Sequence, residues 1–105
     1  MVKNYRELYL LVLSARGRKV GFTFRKIDGS SRVVRPTDRI ILKDGCLRFF
    51  CAERNAWRAA CLGSVTSVTD QYGWPVSDEE IGRVLFYDRP LVWTISETIS
   101  SANVD

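Results

Sequence analysis

Residues 19–69 read KVGFTFRKIDGSSRVVRPTDRIILKDGCLRFFCAERNAWRAACLGSVTSVT, and the expected fold follows mainly from this segment. At its start, Val20, Phe22 and Phe24 are each separated by one small or polar residue. Alternation with a period of two is typical of a half-buried β-strand. Further apolar stretches follow, divided by turn signals about every eight to twelve residues, which is typical of all-β folds. The segment therefore predicts a meander of about five or six short strands that closes into a small barrel.

Two Asp-Gly pairs place hairpin turns in this meander. Asp28-Gly29 follows the first strand, and Asp44-Gly45 separates two later strands. Asp-Gly between strand-like segments is a strong hairpin signal, because both residues tolerate the positive φ that a tight turn requires. The strands predicted after the first one are Ser31–Arg35, Arg39–Lys43, Cys46–Ala52, Trp57–Leu62 and Val65–Thr69.

The hairpin of residues 46–62 is largely apolar on both faces. With its turn at Arg54-Asn55, one face carries Leu47, Phe49, Cys51, Arg58, Ala60 and Leu62. The opposite face carries Arg48, Phe50, Ala52, Trp57, Ala59 and Cys61. A second apolar face indicates cover by a helix or a neighbouring chain, or a platform of Phe50 and Trp57 on which a base or aromatic ligand stacks. Packing is the commoner role of such aromatic pairs.

A helix is predicted on the amino-terminal side of the barrel, over residues 4–16. Asn4 followed by Glu7 fits a capping box, and the apolar residues after it recur at helical spacing. Leu10 and Leu13 fall outside the main apolar stripe. We therefore expect this helix to be covered on more than one face.

A helix followed by one more strand is predicted for residues 77–96. Ser77 and Glu80 fit a second capping box at the start of the helix. Residues 91–96 then alternate, with larger apolar side chains at every second position, which indicates a strand.

These segments predict one domain over residues 1–105, mainly β with flanking helices (α+β). Its expected architecture is a small SH3-like or Sm-like barrel with an N-terminal helix and a C-terminal helix-strand addition, followed by a frayed polar tail over residues 97–105. The composition, 46% apolar and 27% charged, is that of a folded globular chain. No apolar run is long enough for a membrane span, and no secretory cleavage site follows residues 8–13, so we expect a cytoplasmic protein.

The residue types offer little for catalysis or metal binding. The chain has no histidine, the commonest general base and metal ligand. Its cysteines, Cys46, Cys51 and Cys61, show no CxxC spacing and are interpreted as reduced side chains packed like small apolar residues. The acidic cluster at residues 78–80 suits a helix N-terminus. We therefore predict no catalytic residues, no metal, no cofactor and no enzyme activity.

The charge is divided unevenly along the chain. Residues 1–60 hold fourteen Lys and Arg against five acids, whereas residues 61–105 hold two against seven. An excess of +9 in the first part favours an anionic partner. Alternatively, the acidic end packs over the basic face of the same molecule.

Residues 9–70 resemble a WYL domain, an SH3-type, Sm-like barrel found in bacterial transcription regulators and defence-associated proteins. The helix, the basic turn and the alternating strand of residues 15–25 follow that order of elements, and a hairpin with an acidic-Gly turn comes next. Residues 32–36 match an Arg-x-x-x-Pro segment. The closing Leu-x-x-Ile-x-x-Val pattern of the family is matched by Leu62, Val65 and Val68.

This resemblance implies a barrel whose basic residues bind nucleic acid or nucleotide-like ligands. Arg32 and Arg58 stand at matching basic positions. At other positions the chain departs from the family: residues 47–49 read Leu-Arg-Phe where the family has its name-giving Trp-Tyr-Leu, and Cys61 and Ser64 replace two arginines.

The expected function is that of a non-catalytic, WYL-like binding domain with a basic face for an anionic ligand, either single-stranded nucleic acid or a nucleotide. The candidate ligand-binding residues are Arg32, Arg35, Arg39 and Arg58 for phosphate contacts and Phe50 and Trp57 for stacking. The alternative is a protein-interaction or homo-oligomerisation module that uses apolar surfaces of the 46–62 hairpin and the 91–96 strand. A third interpretation is an apolar small-molecule pocket between the barrel and the C-terminal helix.

Overall fold

The computed structural model describes the backbone of residues 5–102 and the side chains of residues 5–98. This part of the chain forms three helices and six antiparallel strands. In chain order they are α1 (Tyr5–Ala15), β1 (Val20–Arg25), β2 (Ser31–Thr37), β3 (Ile40–Lys43), β4 (Cys46–Cys51), β5 (Ala56–Cys61), β6 (Val65–Thr69), α2 (Asp78–Tyr87) and α3 (Arg89–Ala102). Among the described residues, no helix combines the length and apolar character needed to cross a membrane.

The strands form two three-stranded sheets, one in the order β2-β1-β6 and the other in the order β3-β4-β5. Their inner faces meet in an aromatic cluster, because Phe49 of β4 packs edge-on against Phe22 and Phe24 of β1 with ring centres 5.3 and 5.9 Å apart. Phe22 and Phe49 are at most 1% exposed. Burial of these side chains is the main force that holds the two sheets together.

The expected barrel is not closed. The two sheets share no hydrogen-bonded ladder in the described part of the chain. One connection between them is the segment 38–39, next to Pro36, which lacks a backbone N–H for pairing. The other is a tight turn in which the Ser64 N–H donates to the Cys61 carbonyl at 3.2 Å, so the chain leaves β5 instead of pairing with it. The expectation of a mainly β, α+β fold is confirmed, whereas the closed barrel is wrong.

The β4–β5 hairpin keeps the predicted faces in a different register. Phe50 pairs with Trp57, two residues from the partner that a turn at Arg54-Asn55 implies, because the loop is residues 52–55. A shift of two residues leaves each side chain on its original face. The inward-facing residues Leu47, Phe49 and Ala60 are accordingly buried. Trp57, on the opposite face, keeps 48% of its surface exposed.

Helix α1 is covered on more than one face, as predicted. Six consecutive residues, 7–12, are buried, because α1 packs against β3 and β6 on one side and against α2 and α3 on the other. At its end, the Ser14 hydroxyl donates to the Ile40 carbonyl at 2.9 Å and accepts from the Ile40 N–H at 3.1 Å. This exchange fixes the start of β3 to the helix.

The two expected capping boxes have different outcomes. For the box expected at α1, Asn4 lies outside the described residues. Glu7, which is 2% exposed, has a carboxylate that accepts a hydrogen bond from the N–H of Gly63, a residue far away in sequence. At α2, the Ser77 side chain accepts a hydrogen bond from the Glu80 N–H at 3.1 Å, so the N-cap is confirmed. The Glu80 carboxylate, the other half of the expected box, accepts from Arg83 at 2.7 Å.

The strand predicted over residues 91–96 is wrong, because this segment belongs to α3. Val92 and Ile95 pack against the core while Trp93 is 69% exposed, which is a helical period. Pro90 favours a helix start at this point, since its fixed φ suits the first turn and its missing N–H would have no partner there. The helix continues to Ala102, through most of the segment expected to fray.

Candidate anion-binding site

Two arginines lie on the inner faces of the two sheets, one on each sheet. Arg32 of β2 lies opposite the buried Phe24, and Arg58 of β5 lies opposite the buried Phe49. Residues opposite each other in an antiparallel ladder point to the same face. Both arginines therefore belong to the inner faces, and both are half-buried.

Neither of these guanidinium groups has an anionic partner among the described residues. The contact found for Arg32 is a 4.0 Å approach of Nη2 to the Cys51 Sγ, and the Nε of Arg58 is inaccessible to solvent without a hydrogen-bond acceptor. Buried charges and buried donors are ordinarily paired, because desolvation without compensation is costly. The arginine pair, Arg32 and Arg58, is thus an arrangement that an external anion would complete.

A first cavity of about 520 Å³ opens beside Arg32, between β2 and β4. Four basic side chains line it: Lys19, Arg32, Arg35 and Arg39. The Arg39 guanidinium lies over the ring of Phe50, 4.9 Å from its centre, and Phe50 lines the same cavity. Arg35 is partly neutralised, because its Nε donates to Glu53 at 2.8 Å, although both side chains are exposed and such a pair is weak.

A second cavity of about 570 Å³ lies on the other side of Arg32, which lines both. Its basic residues are Arg25, Lys26, Arg32 and Arg58, and its apolar walls include Phe24 and Ala60. Asp28 is at its edge, where the Ser30 hydroxyl and backbone N–H donate to the carboxylate and lower its pKa. Arg32 therefore joins two cavities that are both predominantly basic, and Arg58 belongs to the second.

The structure brings together most of the predicted site residues. Arg32, Arg35, Arg39 and Phe50 line the first cavity, and Arg58 lines the second. Trp57 lines neither of these: it meets Phe50 edge-on at 5.9 Å and faces a separate groove beside Ile41 and Ile95.

Sequence reasoning missed three basic residues, Lys19, Arg25 and Lys26, which lie at the two ends of β1. Their position next to a strand predicted to pair with the arginine-bearing segment is a signal that was present in the sequence.

The acidic C-terminal part does not cover these cavities. No residue of α2 or α3 lines either one within the described chain. Its acids pair elsewhere: Asp78 with Arg6 at 3.6 Å, Glu80 with Arg83 at 2.7 Å, and Asp88 with Arg16 at 3.0 Å. The hydrogen bond from Arg16 lowers the pKa of Asp88. Both interpretations of the charge asymmetry hold in part: Asp78 and Asp88 pair with arginines of residues 1–60, while the described residues of α2 and α3 leave the two basic cavities uncovered.

The cysteines fit their predicted role only in part. All three are free thiols, but Cys61 is exposed, so the interpretation as a packed apolar residue is wrong for it. In the part of the chain that the structure describes, no three His, Cys, Asp or Glu side chains come together as a metal-binding group.

The chain matches no known protein-family profile, no curated protein sequence and no solved structure. The WYL resemblance therefore stays a prediction.

Proposed function

We propose that this chain is a non-catalytic, WYL-like binding domain that takes an anionic ligand, single-stranded nucleic acid or a nucleotide, at the arginine pair and its two cavities. The observation that carries the proposal is that Arg32 and Arg58 face each other's sheets without a carboxylate partner in the described chain. The cytoplasmic location expected from the sequence belongs to the same proposal, since an odd number of cysteines without CxxC spacing suits a reducing compartment.

Phosphate is the anion that suits this arrangement. A guanidinium presents several N–H donors in a planar fork, which matches two oxygens of one phosphate. Further phosphates along a strand would meet Arg35 and Arg39 in the first cavity, or Arg25 and Lys26 in the second. The two cavities could hold successive phosphates of one strand on either side of Arg32.

Stacking in this proposal is assigned to Phe50. Its ring lines the first cavity and already holds the Arg39 guanidinium on one face. A nucleobase can stack on such an aromatic ring or on the planar guanidinium, and stacking contributes about 1–3 kcal/mol per base. Trp57, which lies outside both cavities, is retained as a site residue only through its contact with Phe50.

The test is binding of a fluorescein-labelled oligothymidylate, followed by anisotropy as a function of salt. If four arginines neutralise four phosphates, affinity should fall about 50-fold between about 50 and 200 mM salt, because each contact contributes about −0.7 to the log–log slope. Arg83→Ala is the matched control, since Arg83 pairs with Glu79 and Glu80 on α2, away from the cavities. Absence of binding, or binding indifferent to salt, removes the proposal.

The second candidate function is self-association of the chain. Ile41 and Trp57, which are 46% and 48% exposed, form an apolar outer surface on the β3-β4-β5 sheet. A second copy placed on this surface would bury both side chains. Light scattering over a hundredfold range of protein concentration checks it, and a monomer throughout excludes it.

A further inference from the structure

Two of the three cysteines lie directly opposite each other in the β4–β5 ladder. Cys46 is the register partner of Cys61, with no irregularity between this pair and the hairpin loop. Both point to the outer face, where Phe50 and Trp57 also form a pair. Cys61 is exposed and Cys46 half-buried, so a small reagent in solution can reach the pair.

Cys46 and Cys61 occupy a position of the ladder at which the side chains of opposite residues lie close together. The Phe50 N–H donates to the Arg39 carbonyl at 3.1 Å, so at Phe50 the polar groups of β4 point towards β3. Cys46 lies four residues earlier in an uninterrupted register, and its polar groups therefore also point towards β3. On the β5 side, Cys46 and Cys61 consequently form a non-hydrogen-bonded pair, whose Cα atoms are about 4.5 Å apart in regular sheets.

That separation falls within the range of about 4.4–6.8 Å that a disulfide spans. The third cysteine offers no competing partner on the same hairpin. Cys51 lies opposite Ala56 and on the inner face. It is five residues from Cys46 along the strand, a distance of about 16 Å.

We propose that Cys46 and Cys61 are a redox-active dithiol that a low-molecular-weight disulfide such as glutathione disulfide converts into a cross-strand disulfide. The thiolate of one cysteine attacks a sulfur of glutathione disulfide, forming a protein–glutathione disulfide and releasing one glutathione thiolate. The thiolate of the other cysteine then attacks the protein sulfur of that bond and releases the second glutathione thiolate. Two electrons pass from the cysteines to glutathione disulfide, and the two cysteine protons go to the released thiolates.

The inference does not depend on the proposed anion binding, because it follows from the register of one hairpin. Because Cys61 is exposed, we expect its thiolate to attack glutathione disulfide first, and Cys46 then to attack the resulting mixed disulfide. The product would tie β4 to β5 at the end of the hairpin far from its loop, next to the second cavity that Cys61 lines.

The test uses the intact chain and glutathione as the redox couple. Reduced protein is equilibrated without oxygen at increasing ratios of glutathione disulfide to glutathione, quenched with acid and alkylated with N-ethylmaleimide. Trypsin separates the three cysteines into the peptides 44–48, 49–54 and 59–83. We expect two of the three thiols to be lost together and peptides 44–48 and 59–83 to be recovered joined by a disulfide. The extent of this loss should not change with protein concentration.

Single substitutions provide the controls. Cys46→Ser and Cys61→Ser should each abolish the paired loss of thiols, whereas Cys51→Ser should leave the loss of the other two unchanged. The measurement on the unsubstituted chain stands alone if a variant does not fold. Three thiols that stay alkylatable in pure glutathione disulfide would overturn the proposal, and so would products limited to glutathione adducts, links to Cys51 or links between chains.

Discussion

The backbone N–H of Gly63 donates a bifurcated hydrogen bond to the carboxylate of Glu7 in α1, at 2.9 Å to Oε1 and 2.7 Å to Oε2. The two residues are 56 positions apart. The carboxylate therefore holds the turn between β5 and β6 against the first helix. Gly63 adopts a φ of 89°, which glycine tolerates and other residues rarely do. The turn therefore depends both on the glycine at position 63 and on the carboxylate at position 7.

Removal of this carboxylate is expected to destabilise the fold. Glu7→Ala leaves the Gly63 N–H without its acceptor and a gap beside the helix, and a hydrogen bond to a charged group contributes about 1.5–3 kcal/mol. We expect the free energy of unfolding, measured with urea, to fall by about 2 kcal/mol or more. Glu79→Ala, at a side chain 85% exposed on α2, is the control and should change it by less than about 0.5 kcal/mol. Equal effects of the two substitutions would contradict a structural role for Glu7.

The pH dependence of stability should report the same carboxylate. Burial raises the pKa of Glu7 above its ordinary value of 4.5, and hydrogen bonds from Gly63, Val65 and Ser64 oppose that shift without cancelling it. In the pH range between these two values the folded state binds more protons than the unfolded state, so the contribution of Glu7 declines as pH rises. This proton-linked part of the contribution, which adds to the packing and hydrogen bonding that Glu7→Ala removes, is fully present below the unfolded pKa and is lost as pH rises through the folded pKa.

Glu7→Gln removes the titration while keeping the shape of the side chain. Urea unfolding of both proteins from about pH 4 to pH 8 should show the parent chain losing stability relative to Glu7→Gln as pH increases from the ordinary range of a glutamate pKa. A difference that is constant, or that grows with pH in favour of the parent chain, would mean that the folded pKa is not raised.

Two glycines make a matched pair for testing how closely the first sheet is packed. A Cβ at Gly21 of β1 would lie 2.8 Å from the Val34 carbonyl and 2.5 Å from the Thr69 side chain, so Gly21→Ala should cost about 1–3 kcal/mol. Gly82 of α2 has no atom within 4 Å of such a Cβ, and Gly82→Ala should stabilise the helix by about 0.5–1 kcal/mol. Thermal unfolding should show a lower melting temperature for Gly21→Ala and a higher one for Gly82→Ala. A change in the same direction for both variants would contradict the packing described.

The sequence predicted the strands better than the way they assemble. Alternation located β1, and Asp44-Gly45 located the β3–β4 turn, where both residues have the expected positive φ. The alternation of apolar residues does not predict which sheet edges pair. Closure of the barrel depends on the bends at residues 38–39 and at Gly63, and these bends leave no periodic pattern in the sequence. The segment 91–95 was misassigned because its first and last apolar residues, four positions apart, fit one face of a helix as well as a strand.

The candidate site was predictable for a similar reason. Successive side chains of a strand point to alternate faces of the sheet, and a shift of two residues keeps each on its face. Arg58 could therefore be assigned to the same face as Phe49 even with the register wrong by two residues. That Arg32 and Arg58 line the same cavity depends on how the two sheets pack, which no local pattern states. Lys19 is different, because its place beside β1, which pairs with the strand that carries Arg32, could be read from the sequence.

Neutral substitutions of the arginine pair should weaken binding and flatten its dependence on salt. Arg32→Ala and Arg58→Ala each remove a charge-assisted contact, so the affinity for the labelled oligothymidylate should fall about tenfold or more. Each lost phosphate contact should make the log–log slope less steep by about 0.7. A loss of affinity with the slope unchanged would indicate that the residue shapes the cavity without contacting phosphate. Arg54→Ala, at an exposed loop position outside both cavities, is the matched control.

The unpaired Arg58 side chain should lower the free energy of unfolding when no anion is bound. Arg58 is half-buried and holds a solvent-inaccessible Nε without an acceptor, and a buried donor left unsatisfied costs about 1–3 kcal/mol. We therefore expect Arg58→Met to raise the free energy of unfolding by about 1 kcal/mol while it weakens oligonucleotide binding. Inorganic tripolyphosphate should then raise the melting temperature of the parent chain more than that of the variant, because a ligand stabilises only the state that binds it. A less stable variant would show that the guanidinium is satisfied within the fold, and the argument for an external anion at Arg58 would fail.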